Sequence, residues 1–335
     1  MPNVVLLGYD PNQPSFRHRM QSLIGTLESA GWQVRAERFP KRRYGLRSWE
    51  RRDLFGWAHV VVLHQIKLSG IEARIDAALS RHRVFDVDDA IYVRKPRRLG
   101  EPADDSAWRR RKFAATCRSV DVVAAGNEVL AGVARHAARE VVILPTSIEI
   151  SCYEASTAGA DAAPIIAWIG SPENLIYLEM IRPALARLAA RHPSLKVRVI
   201  CSAFPDWPEI QVERVPWSAA TEAASLAAAH IGVMPLSDDA WARGKCAFKL
   251  LQYMAASLPC VASPVGANTE AVIDGFNGYH ARSLEEWERN LERLMDSAQL
   301  RAQFGANGRR HVAECYALGT YRDKYLALLT RLAAD

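Results

Sequence analysis

Two rounds of one alternation run along this chain. Short continuous runs of apolar, mostly branched residues alternate with amphipathic helical segments, first over residues 4–144 and again over 165–334. Runs at 4–8, 59–63, 83–87, 120–125 and 140–144 read as strands and 32–39 is a further strand candidate, with helices expected at 17–30 and 71–79. The second round places strands at 165–169, 196–201, 231–234 and 260–263. Its helices are expected at 177–191, 219–229, 248–256, 284–297 and 316–334. Strands that are apolar throughout, rather than at every second position, belong to parallel sheets covered on both faces. The pattern therefore predicts an α/β chain of two Rossmann-like, doubly wound units facing one another across a cleft. Sheets of this kind take ligands outside the carboxyl ends of their strands.

Between the rounds, residues 151–164 have no apolar period and read as a linker. A length of 335 residues suits two domains, expected at 1–155 and 160–315. With 49% hydrophobic and 24% charged residues, a disordered tail, a collagen-like chain and a small disulfide scaffold are excluded. There is no apolar run of membrane-spanning length, no C-x-x-C pair among the six cysteines, and no N-x-S/T sequon. A cytoplasmic location is expected. The net charge of +6 is unevenly placed: residues 1–160 carry 25 Lys+Arg against 18 Asp+Glu, and the rest 18 against 19. The excess gathers at 41–52, 94–98 and 109–112, interleaved with aromatics such as Trp49 and Trp108. That half suits an anionic partner, either a phosphate-bearing acceptor or an anionic membrane surface at the inner face of a membrane. No nucleic-acid motif accompanies the charge, so nucleic acid is not an expected partner.

No G-x-G-x-x-G follows a strand, and no Walker A, H-E-x-x-H or G-x-S-x-G sequence occurs. The informative stretch runs from Gly244 to Tyr279. A helix opening near Cys246 would aim free N–H groups at the preceding loop, with Lys245 and Lys249 one turn apart beside them. Dipole, donors and two ammonium groups together suit a diphosphate. The alternative is a solvated basic face.

Here the chain resembles the retaining glycosyltransferases of family 4 (glycosyl transferases group 1), which have the GT-B fold and use nucleotide sugars. The resemblance rests on Lys249-Leu-Leu-Gln-Tyr-Met-Ala, Pro259-Cys-Val-Ala-Ser and Glu270-Ala-Val-Ile-Asp-Gly-Phe-Asn-Gly. Weaker matches are Arg17-His-Arg, Gly126-Asn127-Glu128 and Leu144-Pro145-Thr146. It implies that Lys245 and Lys249 hold the donor diphosphate, that Gly170-Ser171 forms the phosphate-side loop, and that Asn268 and Glu270 lie near diphosphate and sugar. It also implies that the last helix, 316–335, crosses back to the first domain. The family pattern has two glutamates eight positions apart; they fall here at Gly244 and Gln252. Gln252 retains both a donor and an acceptor for a ribose hydroxyl, whereas Gly244 has no side chain. Asp238 or Asp239 is the nearest replacement.

A second constellation is Asp86-Val87-Asp88-Asp89 at a strand's carboxyl end. Like charges this close raise at least one pKa. In a GT-B cleft Asp86 or Asp88 would face the sugar as a catalytic carboxylate. The competing readings are a D-x-D metal clamp, a haloacid-dehalogenase-like phosphatase nucleophile, and helix capping. His64, ending the third strand, and Ser15 and Arg17, after the first, are expected on the acceptor side, a buried structural histidine being the alternative for His64. The expected reaction is hexosyl transfer (EC 2.4) from a nucleoside diphosphate sugar to a hydroxyl of a carbohydrate or lipid-linked acceptor. Retention is expected, with no metal or other cofactor, because lysines neutralise the leaving group. The expected pathway is polysaccharide or glycoconjugate synthesis. A non-catalytic sugar-nucleotide-binding scaffold is the alternative that the missing glutamates suggest.

Overall fold

The structure is a computed structural model, and it describes residues 1–39, 48–98, 100–101, 106–159 and 163–334. The basic run at 41–47 lies outside them. Among the described residues twelve strands form two sheets of six. The first holds β1 (Asn3–Gly8), β2 (Gln33–Arg38), β3 (Val60–His64), β4 (His82–Val87), β5 (Val122–Ala125) and β6 (Glu140–Ile143), in the order β2-β1-β3-β4-β5-β6. The second holds β7 (Ile165–Ile169), β8 (Lys196–Cys201), β9 (Gln211–Pro216), β10 (Ile231–Met234), β11 (Cys260–Ala262) and β12 (Gly278–His280), in the order β12-β11-β10-β7-β8-β9. Every pairing is parallel.

The apolar runs explain the sheets. Val4, Val5, Leu6 and Leu7 of β1, and Val60 to Leu63 of β3, have no exposed surface, since helices cover both faces. Removing each such side chain from water contributes about 1.5–3 kcal/mol. Chain order reverses between β1 and β3 in one sheet and between β7 and β10 in the other. Those are the points where doubly wound sheets open a crevice.

The Leu318–Ala334 helix packs on the first sheet although it follows the second in sequence. Its Leu318, Tyr321, Tyr325, Leu328, Leu329 and Leu332 share a core with Leu6, Phe16, Val62 and Val84. Residues 153–157, expected as free linker, are tied to the second unit: Ser156 N–H donates to the Ala256 carbonyl and Thr157 N–H to that of Ala227, each at 2.9 Å.

Several elements differ from expectation. The helix expected over 17–30 is a 3-10 turn flanked by helices Pro14–Arg19 and Ile24–Ser29. That expected over 177–191 breaks at Ile181, where Pro183 starts a new helix, Arg182–Arg191. The 18-residue helix Ala298–Cys315 was not anticipated, because Gly305, Gly308 and Asn307 blur its apolar period. Those residues serve close packing: a Cβ at Gly305 would collide with the Ser257 carbonyl oxygen. Edge strand β9 and short β12 were also not anticipated. The first has only partly buried and exposed residues, and the second is three residues long.

Candidate functional site

A cleft of about 360 Å³ lies where the carboxyl ends of both sheets meet. Its wall on the first unit comprises Ser15, Arg17, His18, Asp88, Asp89 and Thr146. The opposing wall includes Gly170, Ser171, Trp217, Glu222, Lys245, Lys249 and Gln252.

The first wall is built on a buried ion pair. Arg19 and Asp86 are fully buried, with Arg19 Nε and Nη2 each 2.7 Å from an Asp86 carboxylate oxygen. Arg19 Nη1 donates to the Leu144 carbonyl at 2.8 Å and to Thr146 Oγ1 at 3.2 Å. His64 Nδ1 lies 2.8 Å from Asp86 Oδ1, and the Tyr325 hydroxyl donates to Oδ2 at 3.3 Å. Burial pushes the Asp86 carboxyl up, but Arg19 and His64 more than offset this and hold it at about 2. The structure therefore sets Asp86 behind the cleft wall, paired on both oxygens. It is inaccessible as a phosphatase nucleophile and does not reach a sugar. His64, 2% exposed, joins this pair to Ser15, whose Oγ is 2.8 Å from Nε2.

Asp88 and Asp89, just past the carboxyl end of β4, are the carboxylates that reach the cleft. Ser15 Oγ sits 2.6 and 2.8 Å from the two oxygens of Asp88, and Gln65 Nε2 donates to its Oδ1. Gln65 holds a left-handed φ of 59°, which costs a non-glycine residue about 1–3 kcal/mol and is tolerated where surroundings enforce it. Next in chain, Asp89 is pushed up to about 6 by burial, against the pull of Lys245 and with the push of Asp88.

The second wall is cationic. The helix carrying Lys249 starts at Phe248, as expected, after Ala247 turns left-handed at φ 54°. Lys245 is consequently on extended backbone before the helix rather than on a shared helical face. Its ammonium lies 5.9 Å from the Tyr177 ring centroid and 5.8 Å from that of Trp241; Lys249 lies 4.8 Å from Trp168. Burial, with repulsion from Lys245 and Lys95, lowers Lys249 to about 7. Lys95, which sequence reasoning missed, is lowered to about 8 by burial and by Lys245, while Glu173 and Asp89 partly offset the shift. Only tertiary structure brings Lys95 to the other two.

Gly170 leaves no space for a side chain: a Cβ would lie 2.7 Å from Trp168 and 3.0 Å from Lys249 Cε. Ser171 accepts from Asn174 Nδ2 at 2.9 Å. Gln252 lines the cleft and donates from Nε2 to the Tyr153 hydroxyl at 3.2 Å. Asn268 is buried below the wall, bonding the Ser263 carbonyl at 3.0 Å, and Glu270 is exposed; neither lines the cleft. Asp238 pairs with Arg243, and Asp239 caps a turn through the Trp241 and Ala242 N–H groups.

The walls are pinned together near Gly244. Asn127 Nδ2 donates to the carbonyls of Gly244 and Lys245, each at 3.1 Å, and Cys246 Sγ–H to that of Asp88 at 3.2 Å. A Cβ at Gly244 would lie 2.5 Å from that of Ala90, so the contact leaves no room for a glutamate there. Arg17 stacks over Trp217 at 5.5 Å, and His18 packs on Phe248 with ring centroids 4.2 Å apart. Burial and the neighbouring Arg17 lower His18 to about 4.

Residues 163–297 match the family model of the glycosyl transferases group 1. That match covers the cationic wall and β7 to β12. Over the whole chain the fold is GT-B. Sucrose-phosphate synthase (tll1590) from Thermosynechococcus elongatus superposes with a TM-score of 0.77 at 13% identity, covering 100% of both chains. HepE (Alr3699) of Anabaena, solved with UDP and glucose, gives 0.74 at 13%, covering 99% of this chain and 100% of its own. The pneumococcal O-GlcNAc transferase GtfA, solved with UDP and GlcNAc, gives 0.61 at 14%, covering 82% and 57%. No curated protein matches the chain by sequence.

Proposed function

We propose that the chain transfers a sugar from a nucleoside diphosphate sugar to an acceptor hydroxyl, with retention and without a metal. The observation that carries this is the cluster of Lys245 and Lys249 inside a GT-B cleft, on the segment matched by the glycosyltransferase model. Neighbours solved with UDP and sugar support it. In the reaction the bond between the sugar C1 and the β-phosphate oxygen breaks, and its electron pair leaves with the diphosphate. Lys245 and Lys249 neutralise that charge where water is excluded. The acceptor oxygen bonds to C1 on the same face and its proton passes to the departing phosphate. Asp88, held by Ser15 and Gln65, stabilises the positive charge that grows on the sugar. The second unit binds donor and the first binds acceptor.

Trp49 and Trp108 are 58% and 62% exposed, with Arg52 and Lys112 over their rings. This basic, aromatic surface favours a lipid-linked acceptor at an anionic membrane face. Among the described residues no helix is long and apolar enough to cross a membrane.

The test is release of nucleoside diphosphate from a panel of UDP-, GDP- and ADP-sugars, with and without a chelator. Turnover that survives the chelator supports the reading; a strict requirement for Mg²⁺ or Mn²⁺ overturns the metal-free mechanism. A second reading is favoured by Gly244, whose contact with Ala90 leaves no carboxylate at that position. On that reading the chain is a sugar-nucleotide-binding scaffold, and it binds donor without turnover over any acceptor.

A further inference from the structure

Beside Gln252 the cleft holds a hydrogen-bond chain across three separate segments. Gln252 Nε2 donates to the Tyr153 hydroxyl at 3.2 Å, and that hydroxyl donates to Glu222 Oε1 at 3.2 Å. Trp217 Nε1–H donates to Glu222 Oε2 at 2.8 Å. Gln252, Tyr153 and Glu222 are 4%, 5% and 9% exposed, while Trp217 stands at the cleft mouth under Arg17.

Proton counting gives this chain a direction. An ionised Glu222 only accepts, and Tyr153 has one proton to give. Tyr153 donates it to Glu222, so its oxygen must receive from Gln252. An amide that turns its nitrogen to Tyr153 turns its oxygen away, and Gln252 lines the cleft. The amide orientation thus follows from the network rather than from the residue itself.

We propose that Glu222 is a positioning residue for the donor's ribose: through Tyr153 it locks Gln252 with its carbonyl oxygen presented as acceptor to a ribose hydroxyl. This rests on the donor-site reading above. The carboxylate is held one residue back from the ligand, and a glutamate at position 252 is incompatible with it. Two carboxylates would then compete for the single Tyr153 proton.

The test uses the full chain and calorimetric titration with UDP, GDP and ADP, then with the 2′-deoxy form of whichever binds. One neutral hydrogen bond gives the ribose form an advantage of roughly five- to tenfold in wild type. Glu222→Gln lowers that ratio, because Gln252 is no longer locked in one orientation and a turned amide offers the hydroxyl a donor in place of the acceptor, and it leaves the deoxy form's affinity within about twofold. Gln252→Glu weakens the ribose form at least fivefold. The exchange Glu222→Gln with Gln252→Glu restores the preference, since the amide now at position 222 donates to Tyr153 and Tyr153 donates to the carboxylate now at position 252. Melting curves of each variant accompany the titrations. A merely structural role weakens both nucleotides equally and is not rescued by the exchange; that outcome overturns the proposal. So does Gln252→Glu alone binding the ribose form more tightly than wild type. A wild-type protein that binds no nucleoside diphosphate overturns the donor-site reading, and this proposal with it.

Discussion

The two walls of the cleft solve opposite electrostatic problems. On the first, the buried Arg19 meets Asp86 through two bonds, His64 completes the pair, and Asp88 is held by Ser15 and Gln65, while Asp89 beside it is pushed up to about 6 by burial. On the second, Lys249 feels the like charges of Lys245 and Lys95, which Asp89 offsets only in part, and its ammonium lies over the Trp168 ring. The balanced wall maintains shape, and the unbalanced wall holds a deficit that an anionic ligand removes. Substitutions on the two walls should therefore be read on different instruments: stability for one, ligand affinity for the other.

The largest effect is expected from breaking the Arg19–Asp86 pair. Asp86→Ala leaves a buried guanidinium without its counter-charge and should lower stability by about 3–5 kcal/mol in urea unfolding. Removing both partners together, with Arg19→Met and Asp86→Leu, should cost less than the single change, because no orphaned charge remains. A double variant no more stable than the single one would show that the wall's role is not charge balance. Asp88→Asn tests the cleft-lining carboxylate of that wall that Ser15 and Gln65 hold. It keeps the shape and removes the charge, so kcat should fall by about a hundredfold, a loss comparable to removing one transition-state contact. Unfolding midpoints should hardly move. A change confined to stability would transfer Asp88 to the structural network with Asp86.

This contrast also explains what was readable beforehand. The bounds of β7, β8 and β10 were expected at the residues observed, because strands buried on both faces are written as largely apolar runs, broken here only by Lys196 and Arg198 of β8. Asp88 was visible as a polar residue at a strand's carboxyl end, although nothing local distinguishes it from Asp86. That distinction depends on Arg19 and Tyr325, 67 and 239 residues away. Lys245 and Lys249 were visible because they share one segment. Lys95 was not, since it lies in the first half and meets the two lysines only when the sheets face each other, and Tyr153, Trp217 and Glu222 were not, since they reach Gln252 from separate segments. Asn127 appeared as a short motif, yet its bonds to Gly244 and Lys245 form across the cleft. Periodicity reports burial along one segment, and a cleft is a property of several.

On the cationic wall the order of effects reverses. Lys249→Ala should weaken nucleoside diphosphate binding roughly ten- to a hundredfold, the loss of one charge-assisted hydrogen bond of about 1.5–3 kcal/mol. The empty protein should lose no stability and can gain some, because a buried ammonium repelled by its neighbours has been removed. Titration calorimetry and a melting curve on the same sample check both halves. A variant that loses stability while keeping its affinity would break the contrast between the walls.

The smallest effect is the most specific to Lys249. In the empty cleft its pKa is lowered to about 7, first by burial and then by Lys245 and Lys95. A bound diphosphate supplies the missing negative charge and raises that pKa toward the ordinary lysine range. Binding above pH 7 should therefore take up a proton, and binding at pH 6, where Lys249 is already charged, should not. Heats measured at pH 8.5 in two buffers of different ionisation enthalpy should differ, with close to one proton absorbed per nucleotide. Affinity should fall with pH above 7 by at most about tenfold per unit. The empty protein follows the opposite slope. Between pH 7 and about 10 its unfolded chain binds the proton that the fold refuses, so its stability from this group rises with pH. Lys249→Arg stays charged throughout and should remove the Lys249 share of the proton uptake, leaving what Lys95, lowered to about 8, takes up. Equal heats in the two buffers would mean that the ligand does not meet Lys249, and the cationic wall would need another occupant.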